Sequence, residues 1–309
     1  MEMRSRNKGF TLLELIVAMA VFSMLLVLTL SVIGQAGTLS SGSMAKMEAA
    51  KVARECLDLI HRDLSPAMLP YNRTSTNSLQ LLASPANLAA AYANPHSLFW
   101  QAPLARVPAK GNLSSVGYFV ERSLGASPEE NRFQLRRLYV NQSDAGNYDL
   151  LFSTPDWYQA LAPGFATPPR TSPSGDPDAD QNYKGWVADG VLALWVRCLD
   201  SSRAPITTNA AGQPTGFSFN SRQAYQTGSQ RYPASGFSAL PPFIEIGLVT
   251  CSPSDIRRIK TFPPIAQTNQ PANFYQDLNN FVTGIQSLNP GAKTISAYTR
   301  IIPILAADP

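Results

Sequence analysis

Charge is scarce in this sequence. Asp, Glu, Lys and Arg together make up 15% of 309 residues, against 44% apolar. A chain this apolar does not stay disordered, and one this weakly charged has little with which to solubilise an ordinary globular surface. The apolar excess must therefore be concentrated in one place. Cysteine is rarer still: three in the whole chain, with no CxxC pair, which at this length excludes a disulfide-stapled mini-protein and gives no sign of redox or zinc chemistry. Histidine occurs twice, and there is no G-x-S-x-G, H-E-x-x-H or phosphate-loop pattern. The sequence therefore presents no catalytic constellation, and neither enzymatic activity nor a cofactor or metal is expected. Twenty-five prolines and 19 glycines occur without a G-X-Y period, which excludes collagen and favours short strands joined by long irregular connections over a helical bundle.

The formal charge of +4 raises the question of a nucleic-acid partner. Arg4, Arg6 and Lys8 against Glu2 place +2 in the first nine residues and leave +2 for the remaining 300. Elsewhere the basic residues are scattered pairs such as Arg136 with Arg137 and Arg257 with Arg258. No nucleic-acid surface is expected.

Residues 10–33, FTLLELIVAMAVFSMLLVLTLSVI, hold a single ionisable side chain, Glu14. As a helix they measure about 36 Å, enough to cross a hydrocarbon core of roughly 30 Å with some tilt. The basic residues just before them set that end on the cytoplasmic side and send the rest outward. An ordinary secretory signal has a shorter apolar region and a small-residue cleavage site after it; neither is present. The helix instead continues through residues 34–65 as an amphipathic segment. Ala49, Ala53, Leu57, Ile60 and Leu64 recur at three- or four-residue steps, opposite Lys46, Lys51, Arg54, Asp58 and Arg62, and Pro66 ends the pattern.

Glu14 is the anomaly. A carboxylate inside a membrane helix costs about 2.5–3.5 kcal/mol on insertion scales, so either it lies shallow enough to reach the headgroups or it has a partner. The surrounding residues, Lys8-Gly9-Phe10-Thr11-Leu12-Leu13-Glu14, resemble the class III signal of type IV prepilins and type II secretion pseudopilins. That resemblance implies cleavage between Gly9 and Phe10 by a prepilin peptidase, N-methylation of Phe10, and assembly in which Glu14 neutralises the amino terminus of a neighbouring subunit. The chemistry is coherent. Gly9 has no Cβ and exposes the scissile backbone, and cleavage leaves an amine whose charge is far less costly beside a carboxylate than alone. A contact of this heterologous kind, repeated without closing, builds a filament. The resemblance extends weakly into WVADGVLALWVRCLD (186–200) and LPPFIEIGLVT (240–250), similar to J-type minor pseudopilins; the layout is also similar to the pilin-like family called Verru/Chthon cassette protein C.

The expected organisation is a leader peptide (1–9), a transmembrane helix (10–33), its amphipathic continuation (34–65) and a globular domain (66–309). The fold class is α+β, the long helix packed on an antiparallel β-sheet with long loops. Strands are expected at 79–83, 98–102, 116–121, 132–140, 191–199, 243–251 and 294–304. Ile244, Ile246 and Leu248 alternate as in a half-buried strand. Phe274, Leu278, Phe281 and Ile285 place a helix over 272–287.

Segments 163–184 and 201–242 lack periodicity and read as long surface loops. In the first, Asp176, Asp178 and Asp180 alternate as calcium ligands can, but Gln181 and Val187 stand where a twelve-residue calcium loop needs Gly and Glu. A solvated acidic loop and a calcium site both stay open. Cys198 and Cys251 lie near the ends of strands that could be neighbours, so a disulfide competes with two buried thiols, while Cys56 packs on the helix. His61 sits on the helix's polar flank and His96 in a turn after Asn94-Pro95, both in structural roles. Trp100, Trp157, Trp186 and Trp195 read as core or rim packing.

The functional expectation is a minor pilin or pseudopilin, a structural subunit of a type II secretion or type IV pilus-like filament that primes assembly or caps the tip. Its partners are other pilin or pseudopilin subunits, the prepilin peptidase and the bacterial inner membrane, which it crosses once with a periplasmic C-terminal domain, and from which it can be extracted into a filament. The alternative is an adhesin or DNA-uptake pilin that binds ligand through its loops.

Overall fold

The computed structural model describes residues 11–68, 79–85, 88, 94–104, 113–141, 184–209, 211, 213–223, 225–227, 230–232, 240–263 and 270–305. Helix α1 (Leu12–Leu64) is one uninterrupted helix. The chain divides into two units, Met1–Ala45 and Lys46–Pro309.

In the first unit the large apolar side chains of the helix, from Leu12 to Ile33 and on to Leu39 and Met44, are open to their surroundings. Its hydropathy and length suffice for a membrane crossing, with none of the best window buried.

In the second unit the helix acquires a buried stripe. Ala49, Ala53, Cys56, Leu57, Ile60 and Leu64 are each at most 5% exposed, which is the three-and-four-residue repeat of the sequence laid against a core. The helix stops at Leu64, two residues before Pro66, because the proline ring cannot continue the turn.

Among the described residues, one sheet has six strands in the order β5-β4-β3-β2-β1-β8, with β1 Leu82–Ala83, β2 Ser97–Ala102, β3 Ser114–Ser123, β4 Arg132–Asn141, β5 Lys184–Asp189 and β8 Phe219–Asn220. A second has three, β12-β11-β6, with β6 Val191–Leu199, β11 Phe243–Thr250 and β12 Ser296–Pro303. A small third ladder joins β7 (Thr208–Asn209), β9 (Tyr225–Thr227) and β10 (Gln230–Tyr232). All these strand pairings are antiparallel. The class is α+β.

The sequence of β6, VLALWVRCL, is buried along its whole length because both of its faces are covered. Leu194, Val196 and Cys198 join α1 and the six-stranded sheet in one core. Ala193 and Trp195 point the other way, into a second core built on helix α3 (Phe274–Leu288), with Phe274, Leu278, Phe281 and Ile285 along its buried face. A short turn of helix, α2 (Pro253–Ile256), links β11 toward that layer. Segment 201–242 departs from the expected long loop. It contributes β7 to β10 and buries Ile206, Phe217 and Phe219. These apolar residues are too widely spaced to give a period, yet each fills a place in the core.

Candidate functional site

The assembly site expected from the sequence sits at the start of α1. Gly9 and Phe10 lie outside the described residues. Thr11 precedes the first helical residue, and its hydroxyl accepts the Glu14 backbone N–H at 3.3 Å, while its carbonyl takes the Leu15 N–H at 3.1 Å. Thr11 therefore caps the helix and satisfies one of the four orphan N–H groups there. The spacing Thr11-x-x-Glu14 matches that of a capping box. Glu14 occupies the first turn, where the helix dipole favours a negative charge. Its side chain is exposed, and the large apolar side chains below it are exposed as far as Met44.

The far end of α1 is held by Asp63, which is 2% exposed. Its Oδ2 accepts the Tyr118 hydroxyl at 2.7 Å and pairs with Arg137 Nη2 at 2.7 Å; its carbonyl accepts Trp100 Nε1–H at 3.1 Å. Trp100 and Tyr118 stack with centroids 5.8 Å apart. Burial, then the Asp63 charge beside it, holds the Tyr118 hydroxyl well above its usual range and keeps it a donor. Arg300 pairs with Asp58, and the Thr250 hydroxyl donates to the Ala49 carbonyl at 3.1 Å, tying the same helix to β12 and β11.

The remaining sequence candidates fall as follows. Cys198 and Cys251 are free and buried, as is Cys56. Their strands are indeed neighbours, but they run antiparallel with Cys198 opposite Ile244 and Thr250 opposite Val191. The two cysteines therefore sit at opposite ends of the ladder, seven residues or about 23 Å apart, far beyond disulfide reach. Asp176, Asp178, Asp180 and Trp157 lie outside the described residues. Trp100 and Trp195 are buried, and Trp186 is half exposed. His61 is on the partly exposed flank of α1, with Nδ1 3.4 Å from the Ser65 hydroxyl. His96, after Asn94-Pro95, is buried, its Nδ1 accepting the Val196 N–H at 2.9 Å. Among the described residues no three His, Cys, Asp or Glu side chains cluster as metal ligands would.

The family described as the prokaryotic N-terminal methylation motif matches residues 4–30. Residues 4–30 therefore carry a prokaryotic N-terminal methylation motif. That match spans the basic leader, Gly9, Phe10, Glu14 and most of the apolar run, and leaves the rest of the chain unassigned. No curated protein matches the chain. One solved structure, a type IV-like pilin from Thermus thermophilus, is similar at 10% identity, with 82% of this chain and 95% of that one covered and a TM-score of 0.31; that score is too low to identify the fold.

Proposed function

We propose that the protein is a pilin- or pseudopilin-type subunit, a minor component that primes or caps a type II secretion or type IV pilus-like filament in the bacterial inner membrane. The observation that carries this reading is the KGFTLLE motif running straight into a helix whose large apolar side chains are exposed from Leu12 to Met44. Such a surface needs either lipid or the helices of neighbouring subunits. In this reading a prepilin peptidase cuts between Gly9 and Phe10, the new Phe10 amine is methylated, and Glu14 of one subunit neutralises that amine on the next. The folded unit after Lys46 faces the periplasm and supplies contacts to other subunits.

Pairing across subunits gives the Glu14 charge a use that its capping-box position does not require, and the two are separable. A capping box accepts Gln as well as Glu, whereas neutralising an amine needs the charge. Glu14→Gln and Glu14→Ala should both insert and be cleaved normally, and both should lose crosslinking to partner subunits. Wild-type crosslinking by Glu14→Gln would show that the charge is not used in assembly.

A further inference from the structure

Two sheet edges of the folded unit end without a neighbouring strand among the described residues. β12 (Ser296–Pro303) closes the three-stranded sheet and β5 (Lys184–Asp189) closes the six-stranded one. No other described residue donates to or accepts from the outer backbone of either strand. The opposite ends of the same two sheets are finished differently. β6 is covered by bridges from Pro95 to Leu194 and from Pro205 to Leu199, with the His96 and Ile206 N–H groups donating to the Leu194 and Cys198 carbonyls at 3.0 Å. β8 is only two residues long. Covering and shortening are both ways to blunt an edge. β12 and β5, eight and six residues long, use neither, and each has an exposed large apolar side chain, Ile301 and Trp186.

The two edges run in opposite senses along α1. The Thr250 hydroxyl reaches the Ala49 carbonyl, and Thr250 is paired with Ser296, so β12 begins at the level of Ala49. Further on, Arg300 pairs with Asp58, and the Leu305 N–H donates to the Ser65 carbonyl at 3.3 Å. β12 therefore runs with the helix. β4 does the same: the Gly190 backbone joins Phe133, near the start of β4, to Cys251, one residue past Thr250, and Arg137 further along pairs with Asp63. β5 is antiparallel to β4, so it runs against the helix.

These directions decide which edges can meet. Antiparallel pairing of β12 with β12, or of β5 with β5, turns one copy end for end and sets the two helices in opposite directions. Chains anchored in one membrane enter their folded units from the same side, so neither pairing suits them. Antiparallel pairing of β12 with β5 leaves the helices pointing the same way. It also uses a different surface on each partner, so each copy keeps one edge for the next, a heterologous contact that repeats. We propose that neighbouring copies of this chain join by antiparallel pairing of β12 of one with β5 of the next. Main-chain hydrogen bonds supply the affinity, and Ile301 and Trp186 are covered as cross-strand neighbours. The common direction of the helices rests on the membrane-anchored reading of α1; the surface, the partner and the orientation go beyond it.

The test uses full-length chains in membranes, in two tagged forms, one carrying Thr299→Cys on β12 and the other Asp189→Cys on β5; the three native thiols are buried. A bismaleimide with a flexible spacer should join the two forms at least fivefold more than it joins two copies of either form, or Thr299→Cys to Asn280→Cys on the exposed side of α3. Ile301→Lys, an exposed change that places a charge on the edge, should lower the mixed product at least fivefold. A Leu26→Cys pair reports helix association separately. Loss of the mixed product while Leu26 crosslinks persist would leave the filament reading standing and overturn this inference. Equal crosslinking to Asn280→Cys, an excess of same-form products, or a mixed product unchanged by Ile301→Lys would overturn it too.

Discussion

The Asp63 carboxylate and the Tyr118 hydroxyl meet at 2.7 Å in the interior, 55 residues apart in sequence, and join the last turn of α1 to the centre of the six-stranded sheet. Arg137 completes the arrangement at 2.7 Å with its side chain 13% exposed. A buried pair of this kind adds little over well-packed apolar residues, but losing one partner is costly because the other charge is stranded.

Asp63→Ala should therefore destabilise the folded unit by about 3–5 kcal/mol, whereas Asp58→Ala, which removes the exposed partner of Arg300, should cost less than about 1 kcal/mol. Urea unfolding of the full chain in detergent, followed by tryptophan fluorescence, measures both. Equal losses would mean that the Asp63 network does not anchor the helix.

The three thiols should be inert in the native protein. Burial pushes Cys56 up to about 12, and raises Cys198 and Cys251 as well, so little thiolate exists at neutral pH. A thiol reagent should label none of them quickly under native conditions and all three after denaturation, with or without prior reduction. Recovery of only one reactive thiol in the unreduced, denatured protein would establish a disulfide.

His96 should make stability depend on pH. Burial holds its imidazole down to about 3, against an ordinary value of roughly 6.5 in the unfolded chain. Between those values the unfolded chain binds a proton that the native one does not, so stability falls as pH drops below 6.5 and is unaffected above it. Lowering the pH from 7.5 to 5.0 should cost about 2 kcal/mol from this group, seen as a fall in the urea midpoint. The same slope in His96→Gln would assign it to other residues.

Much of this architecture can be read from residue order. The stripe Ala49, Ala53, Leu57, Ile60, Leu64 and the set Phe274, Leu278, Phe281, Ile285 are periodic because each helix meets its core along one face. β6 stands out as an apolar run bounded by turn residues, whereas β11, which the alternation of Ile244, Ile246 and Leu248 marks as half-buried, is buried on both faces because Glu245, 1% exposed, is paired with Arg197. What stayed illegible depends on tertiary partners. Strand direction separates Cys198 from Cys251, and no spacing encodes it. β5 was missed because it carries Trp186 outward at 54% exposure and shows no clear alternation. Within 201–242 the buried Ile206, Phe217 and Phe219 are isolated among polar residues. At the N-terminus the reverse holds: the proposed processing motif lies in seven consecutive residues, as a segment read by a peptidase in extended form would.

The central claim is most directly tested by the mass of the N-terminal peptide of the mature protein, isolated from membranes of a host with a prepilin peptidase. The peptide should begin at an N-methylated Phe10, and Gly9→Val should leave the precursor intact from Met1. A wild-type protein that keeps residues 1–9, or is cut elsewhere, or a Gly9→Val variant that matures normally, would contradict the account.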